Sequence, residues 1–269
     1  MATVPKIAER LFSPEYIPAP DVQIISVRGK MIATTCNYVV FSGLPKTGKS
    51  TFISGLIASA YLPCDVFGMK IYLPEGRKKI ALFDTEMSAY DLHRSRQRIA
   101  ALADRPLDRL PDRLDIFSMR EDPPHIIRDF IEQYLKETPA ASVVIIDGFL
   151  DLCMNYNDEV ETRAVTNWLK RITKVYDVCI VGVLHLSKNA GETLGHLGSN
   201  TDRWAQSTMT IKRVKETGQL VLEPKFLRSS EDFEPVAISW DEYQKRWRES
   251  ELITPPEPIK RGPGRPKSK

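Results

Sequence analysis

The chain is poor in several features that would settle its class at a glance. No apolar run is long: the longest is the seven-residue Val178-Cys179-Ile-Val-Gly-Val-Leu184. A membrane-spanning helix needs about 20 apolar residues, so none is predicted. The first residues, MATVPKIAERLFSPEY, hold no basic stretch followed by an apolar one, so no secretory leader is expected. Cysteine is scarce, with four residues, Cys36, Cys64, Cys153 and Cys179, and no CxxC or other metal-ligand spacing. They read as small buried hydrophobes in a reducing cytoplasm. A large excess of charge is missing too. Lys and Arg number 38 against 35 Asp and Glu, a net of +3. Residues 259–269 alone carry five of the basic residues and no acid. Removing those five leaves 33 basic residues against 35 acidic ones, a net of −2 for the body. The body is therefore not a general polyanion-coating surface, and attraction for nucleic acid is concentrated in the tail and in particular loops.

What remains is an ordinary globular composition, 42% hydrophobic and 27% charged over 269 residues. Residues 1–22 are Pro-spotted and aperiodic and read as an arm with one short helical turn. From there, strand-like and helix-like runs alternate. Strands are expected at 37–42, 79–83, 143–146 and 178–184, and helices at 51–62, 88–103, 125–137 and 159–176. Ser88 with Asp91 three residues on forms a capping signal. Continuous apolar strands alternating with helices predict an α/β fold with a mostly parallel sheet flanked by helices. After residue 200 the pattern changes. Runs at 208–214, 220–227 and 235–240 are separated by short turns and predict an antiparallel C-terminal extension of that sheet. The expected organisation is an arm at 1–22, one domain at 23–249, and a disordered, Pro-rich basic tail at 250–269.

Gly43-Leu-Pro45-Lys46-Thr47-Gly48-Lys49-Ser50, followed by Thr51, fits G-x-x-x-x-G-K-[ST] between a strand and a helix. The glycines let backbone N–H groups turn inward around a phosphate. Lys49 reaches the β/γ-phosphates, the Ser50 hydroxyl ligates Mg²⁺, and the helix aims its positive N-terminus at the anion. Val143-Val-Ile-Ile146-Asp147 is an apolar strand ending in an acid, the Walker B pattern, with Asp147 in the Mg²⁺ shell. Ala81-Leu-Phe83-Asp84-Thr85-Glu86 is a second such strand. Period two puts Asp84 and Glu86 on one face, and an acid there can orient and deprotonate the attacking water.

Taken together, GLPKTGKST, FDTEMS followed by an Arg-bearing helix, VVIIDGFLDL and GVLHLSK resemble, in this order, the RecA-like P-loop ATPase superfamily. The nearest branch is the DnaB-type and plasmid RepA-type hexameric replicative helicases, over about residues 23–245. The resemblance implies a RecA-like core that binds ATP and Mg²⁺, with Glu86 as the catalytic glutamate and His185 as a polar sensor of the γ-phosphate. It also implies homo-oligomers, hexamers favoured, whose sites are completed by a neighbour's Lys-x-Arg on a late strand. Lys225-Phe-Leu-Arg228 is one residue longer than that pattern, so Arg228 is the favoured finger and Lys212-Arg213 on the preceding strand its competitor. The Gly-containing loop at 187–200 matches the region that faces DNA in RecA-like rings, with Lys188 as the phosphate contact. In the tail, Arg261, Gly264, Arg265, Pro266 and Lys267 resemble an AT-hook, with Pro263 where the usual motif has Arg.

The implied activity is a cytoplasmic, Mg²⁺-dependent ATPase acting on DNA, a ring-forming helicase first. Alternatives are a DNA-binding ATPase that recruits or switches without unwinding and, from another class, a small-molecule P-loop kinase.

Overall fold

The computed structural model describes residues 6–7, 11–186 and 195–253. Two antiparallel strands, β1 (Gln23–Val27) and β2 (Lys30–Thr34), open the fold. They are joined by Arg28 and Gly29, both at positive φ (51° and 75°). Two consecutive left-handed residues are what a tight hairpin requires. Then follow β3 (Tyr38–Gly43), α1 (Lys49–Ser59), β4 (Met69–Ile71), β5 (Lys79–Asp84), α2 (Ala89–Leu102), β6 (Leu114–Ser118), α3 (Pro124–Glu137) and β7 (Ala141–Asp147). Next come α4 (Glu159–Val175), β8 (Cys179–His185), α5 (Gly195–Trp204), β9 (Ser207–Arg213), β10 (Leu220–Leu227), β11 (Val236–Asp241) and β12 (Arg246–Ser250).

The main sheet has nine strands in the order β12-β11-β10-β9-β3-β8-β7-β5-β6. From β9 to β6 every pairing is parallel, and from β9 to β12 every pairing is antiparallel. The mostly parallel sheet with its antiparallel extension is therefore as expected. β8 lies between β3, which leads into the phosphate loop, and β7, which ends in Asp147. β1, β2 and β4 form a separate three-stranded sheet that the sequence pattern did not reveal.

Alternation along the central strands sorts the interior into two cores. Val39, Phe41, Ile80, Leu82, Val143, Ile145, Cys179 and Val181 face α1, α2 and the small sheet. Tyr38, Val40, Ala81, Phe83, Val144, Ile146, Ile180 and Leu184 face α3, α4 and α5. A parallel sheet buried on both faces needs such doubly apolar strands. The helices begin where the chain supplies caps. Ser88 Oγ accepts from Asp91 N at 3.2 Å, and Asp158 Oδ1 accepts from Glu161 N at 2.8 Å. α3 starts at Pro124, whose missing N–H costs nothing in a first turn.

Several expectations need correction. Cys153 and Cys179 are buried, but Cys36 and Cys64 are exposed, because both lie in turns outside the packed elements. Residues 195–200 of the supposed long loop begin α5, while 187–194, with Lys188, lie outside the described residues. The boundary at 249 falls short. β12 pairs with β11 through Ser250, and Gln219 holds the segment that follows. Its Nε2 donates to Ser250 Oγ (3.0 Å) and to Glu251 O (2.7 Å), and its Oε1 accepts from Ile253 N (3.0 Å). The tail residues Arg261, Gly264, Arg265, Pro266 and Lys267 lie outside the described residues.

Gly182 on β8 is packed against Phe149, where an added Cβ would lie 2.7 Å from the ring. Gly182→Ala should therefore lower stability by about 1–3 kcal/mol through overpacking. Thermal denaturation checks this, and an unchanged midpoint would show that the Phe149 ring yields.

Candidate functional site

The parallel strands end on one edge of the sheet, and their last residues and the turns beyond them supply the site. Gly43, Asp84, Asp147 and His185 terminate β3, β5, β7 and β8. Open parallel sheets place ligands at this carboxyl edge. The loop after β3 turns through Lys46 (φ 64°) and Gly48 (φ 92°) into α1. An added Cβ on Gly48 would lie 2.3 Å from the Leu220 side chain, so glycine is required there by both space and backbone angle. Thr47 closes the loop by donating to Leu44 O at 2.8 Å. Pro45 and Lys46 are exposed at its tip.

A cavity of about 340 Å³ lies over this loop, lined among others by Lys46, Lys49, Ser50, Glu86, Asp147 and His185. Lys49 is a buried residue, 7% exposed, and its ammonium donates to Gly43 O (3.0 Å) and Leu44 O (2.9 Å) and lies 3.0 Å from His185 Nδ1. On the other side of that ring, His185 Nε2 is 2.9 Å from Glu86 Oε1. A continuous polar chain therefore runs from the phosphate-loop lysine through the histidine to the glutamate. The His185 hydrogen bond, working against burial, holds the Glu86 carboxyl below its ordinary value. Burial lowers the Lys49 ammonium, opposed by Glu86 and Asp147.

Ser50 Oγ donates to Asp147 Oδ2 at 3.3 Å. A hydroxyl and a carboxylate are both hard oxygen donors, the set a Mg²⁺ ion takes when phosphates and waters fill its other positions. Among the described residues no group of three or more His, Cys, Asp or Glu forms a metal cage. Burial, then the neighbouring Asp84 and Glu86 charges, push the Asp147 carboxyl up to about 7.

Asp84 departs from expectation. It does not share a face with Glu86: it is fully buried, and its Oδ1 accepts from Glu86 N (3.2 Å) and Met87 N (2.7 Å). β5 ends at Asp84, so period two no longer applies at Glu86. Asp84 thus shapes the turn that carries Glu86 into the cavity. Thr85 ties this turn to the Walker B strand, donating to Asp147 O at 3.0 Å and to Asp151 Oδ2 at 2.5 Å. Neither Thr85 nor Asp151 carries a sequence signal for this role, which depends on β5 and β7 being neighbours.

The late basic residues divide. Arg213 lines the cavity of its own chain. Lys212 pairs with Glu223. Lys225 and Arg228 do not reach that cavity. Lys225 pairs with Asp202 at 2.7 Å, and Arg228 donates to Arg203 O, both at the end of α5. Register along β9 and β10 shifts between Pro224 and Phe226, so Lys225 sits at a bulge. Trp247 and Leu220 also line the cavity, and neither was marked in the sequence.

Because Asp147 carries a raised value when folded, the folded chain binds more protons than the unfolded one between about pH 4 and pH 7. Its contribution to stability therefore falls as pH rises through that window. Without nucleotide or metal, Asp147→Asn should melt above the wild type at pH 7.5, and the gap should close towards pH 4. Equal melting at both pH values would refute the burial penalty.

Compared with known families, a model described as an AAA domain matches residues 35–191, more than half of the chain, from before β3 to beyond β8. No curated protein matches the sequence.

Proposed function

The chain belongs to the AAA-domain family of P-loop ATPases, and on that premise we propose that it is a Mg²⁺-dependent ATPase acting on DNA, working in a ring as a replicative-type helicase. The observation that carries the ATPase reading is the Lys49–His185–Glu86 chain, whose two links are 3.0 and 2.9 Å. It joins the cation that binds the β/γ-phosphates to the carboxylate that activates water.

In this reading the phosphate chain lies along the loop at 43–50, with backbone N–H groups and the N-terminus of α1 facing the anion. Lys49 exchanges its carbonyl partners for β/γ-phosphate oxygens. Ser50 and Asp147 would hold Mg²⁺, and the ion would supply charge neutralisation at those oxygens. Glu86, ionised because His185 stabilises its charged form, orients a water and takes its proton. His185 touches both Lys49 and Glu86, so a change at the γ-phosphate reaches the carboxylate through one ring. Asp84, Thr85 and Asp151 position the turn that presents Glu86.

The action on DNA rests on different support: the order of the four motifs, the five basic residues of 259–269 beside a body of net −2, and the resemblance of Arg261, Gly264, Arg265, Pro266 and Lys267 to a minor-groove hook. The proposed DNA contacts are these and Lys188. Assembly rests on Lys225 and Arg228, which lie away from their own chain's cavity and exchange Asp202 and the Arg203 carbonyl for a neighbour's phosphates in this reading. Arg213 belongs to its own chain's site. A DNA-binding switch without unwinding differs only in failing to displace a strand.

Glu86→Gln should retain ATP binding while losing turnover by about 10²-fold or more, since only the proton acceptor is removed. Near-wild-type turnover would reject Glu86 as the base. Arg228→Ala should bind ATP yet hydrolyse it poorly, and mixing it with Glu86→Gln protein should restore part of the activity by forming interfaces intact on both sides. Absence of recovery, or full turnover by a monomer, counts against a neighbour's finger. The DNA reading predicts faster hydrolysis with added DNA and a shallower salt dependence of DNA binding after deletion of 259–269. Strand displacement separates helicase from switch.

A further inference from the structure

The amino edge of the main sheet, opposite the nucleotide cavity, carries a surface that ATP hydrolysis does not use. It forms where α4, α5 and β10 end together. Tyr38 opens β3 at this edge, its carbonyl accepting from Gln206 N at 2.9 Å, and Gly43 closes the same strand at the phosphate loop. The length of that six-residue strand, about 17 Å, lies between the two.

Two large rings face solvent here. Trp204, the last residue of α5, is 48% exposed, and Phe226 on β10 is 55% exposed. Cations stand around both. Lys170 Nζ lies 3.3 Å from the centre of the Trp204 ring, which fixes the indole and covers one of its faces. Lys225 Nζ lies 5.3 Å from the centre of the Phe226 ring. Burial, and then the charge of the nearby Arg228, lower the Lys170 ammonium. Lys174 follows Lys170 by one helical turn on the same side of α4, and Arg203 precedes Trp204. Asn200 Nδ2 donates to Thr162 Oγ1 at 3.3 Å and ties α5 to α4, so the two helices present these groups together.

The charge of this surface is one-sided. Asp202 lies within it and is paired with Lys225. Elsewhere on α4, Arg163 and Arg171 pair with Glu159 and Glu132. Among the described residues Lys170, Lys174, Arg203 and Arg228 have no acidic side chain within ion-pair distance. On a body of net −2, such a gathering of uncompensated cations attracts a polyanion locally. The exposed rings then select among polyanions. A duplex offers phosphates but keeps its bases stacked inside, whereas a single strand offers phosphates and open base faces together.

We infer that the joint end of α4, α5 and β10 is a platform for single-stranded nucleic acid, with bases stacked on Trp204 and Phe226 and phosphates held by Lys170, Lys174 and Arg203. This inference rests on the reading that the chain acts on DNA, and it adds a contact on folded elements to Lys188 and the tail. Lys225 and Arg228 border the platform and keep the role given them above.

Direct binding of labelled oligothymidylate, and of a blunt duplex, to the full-length protein without nucleotide tests it. Trp204→Ala and Phe226→Ala should each weaken oligothymidylate by about tenfold, the usual scale for losing a base–aromatic stack, and leave duplex binding unchanged. Trp204→Phe, which keeps a ring and guards against a folding defect, should retain most of the affinity. Lys174→Ala should make the salt dependence of single-strand binding shallower by about 0.7 in log–log slope. ATP binding should be unchanged in all four variants, because the platform lies across the sheet from the phosphate loop.

Wild-type affinity for oligothymidylate in both alanine ring variants overturns the platform. Equal losses for single strand and duplex do so too, since stacking is then not the cause. Loss of ATP-promoted assembly with single-strand affinity intact would make the surface a contact between copies of the chain instead. The DNA reading fails separately, when the wild type itself binds neither oligothymidylate nor duplex.

Discussion

One constraint organises the molecule: Lys49, a buried residue, has to hold its ammonium at the carboxyl edge of the parallel sheet. Two carbonyls of the loop that ends β3 hold it, and the His185 ring separates it from Glu86. Burying a cation costs several kcal/mol unless charges and dipoles around it compensate. Compensation comes from three strands. β3 supplies the carbonyls, β8 supplies His185, and the turn after β5 supplies Glu86. Only the strand order brings these together, with β8 beside β3, and β7 between β8 and β5.

The same edge concentrates acids. Asp84, Glu86, Asp147 and Asp151 lie within one neighbourhood and disfavour each other's charge. Such a cluster is expensive for a chain alone, and the expense is consistent with a site built to meet a cation and a phosphate chain. The four acids are not equivalent. Asp84 spends its carboxylate on two backbone N–H groups, and Asp151 accepts from Thr85. Glu86 is presented to the cavity, and Asp147 to Ser50. Two acids therefore fix the geometry that the other two use. Gly148, at φ 108°, allows this closeness: a Cβ there would overlap Thr85 Oγ1 at 1.8 Å.

The basic residues show a comparable division. Lys225 and Arg228 anchor on α5, while Arg213 turns into its own cavity. β9 and β10 are adjacent antiparallel strands, so a small difference in register sends side chains of similar chemistry to separate places. The bulge at Lys225 is one such difference.

Much of this was legible in the chain before any coordinates. The G-x-x-x-x-G-K-S loop is local, because its glycines and its lysine act within eight consecutive residues. The apolar strands ending in Asp147 and His185, the Ser88 helix start, and the antiparallel turn after residue 200 are also written in short-range patterns. The three-stranded sheet was not legible, since its strands are short and one hairpin turn is only Arg28-Gly29. β12 was not, because Arg246-Trp-Arg-Glu-Ser reads as a polar surface, which is what an edge strand is. Periodicity did not tell Asp84 from Glu86, as their difference is the end of β5, and only the family resemblance singled out Glu86. Thr85, Asp151 and Trp247 acquire roles only through neighbours that are tens to hundreds of residues away in sequence. The sequence by itself determined which local elements form and which of them carries the phosphate loop, because those depend on periodicity, caps and backbone angles. Tertiary structure alone decided which acids face the cavity and what closes it, because these depend on strand order and register, which residues distant in the chain set between them.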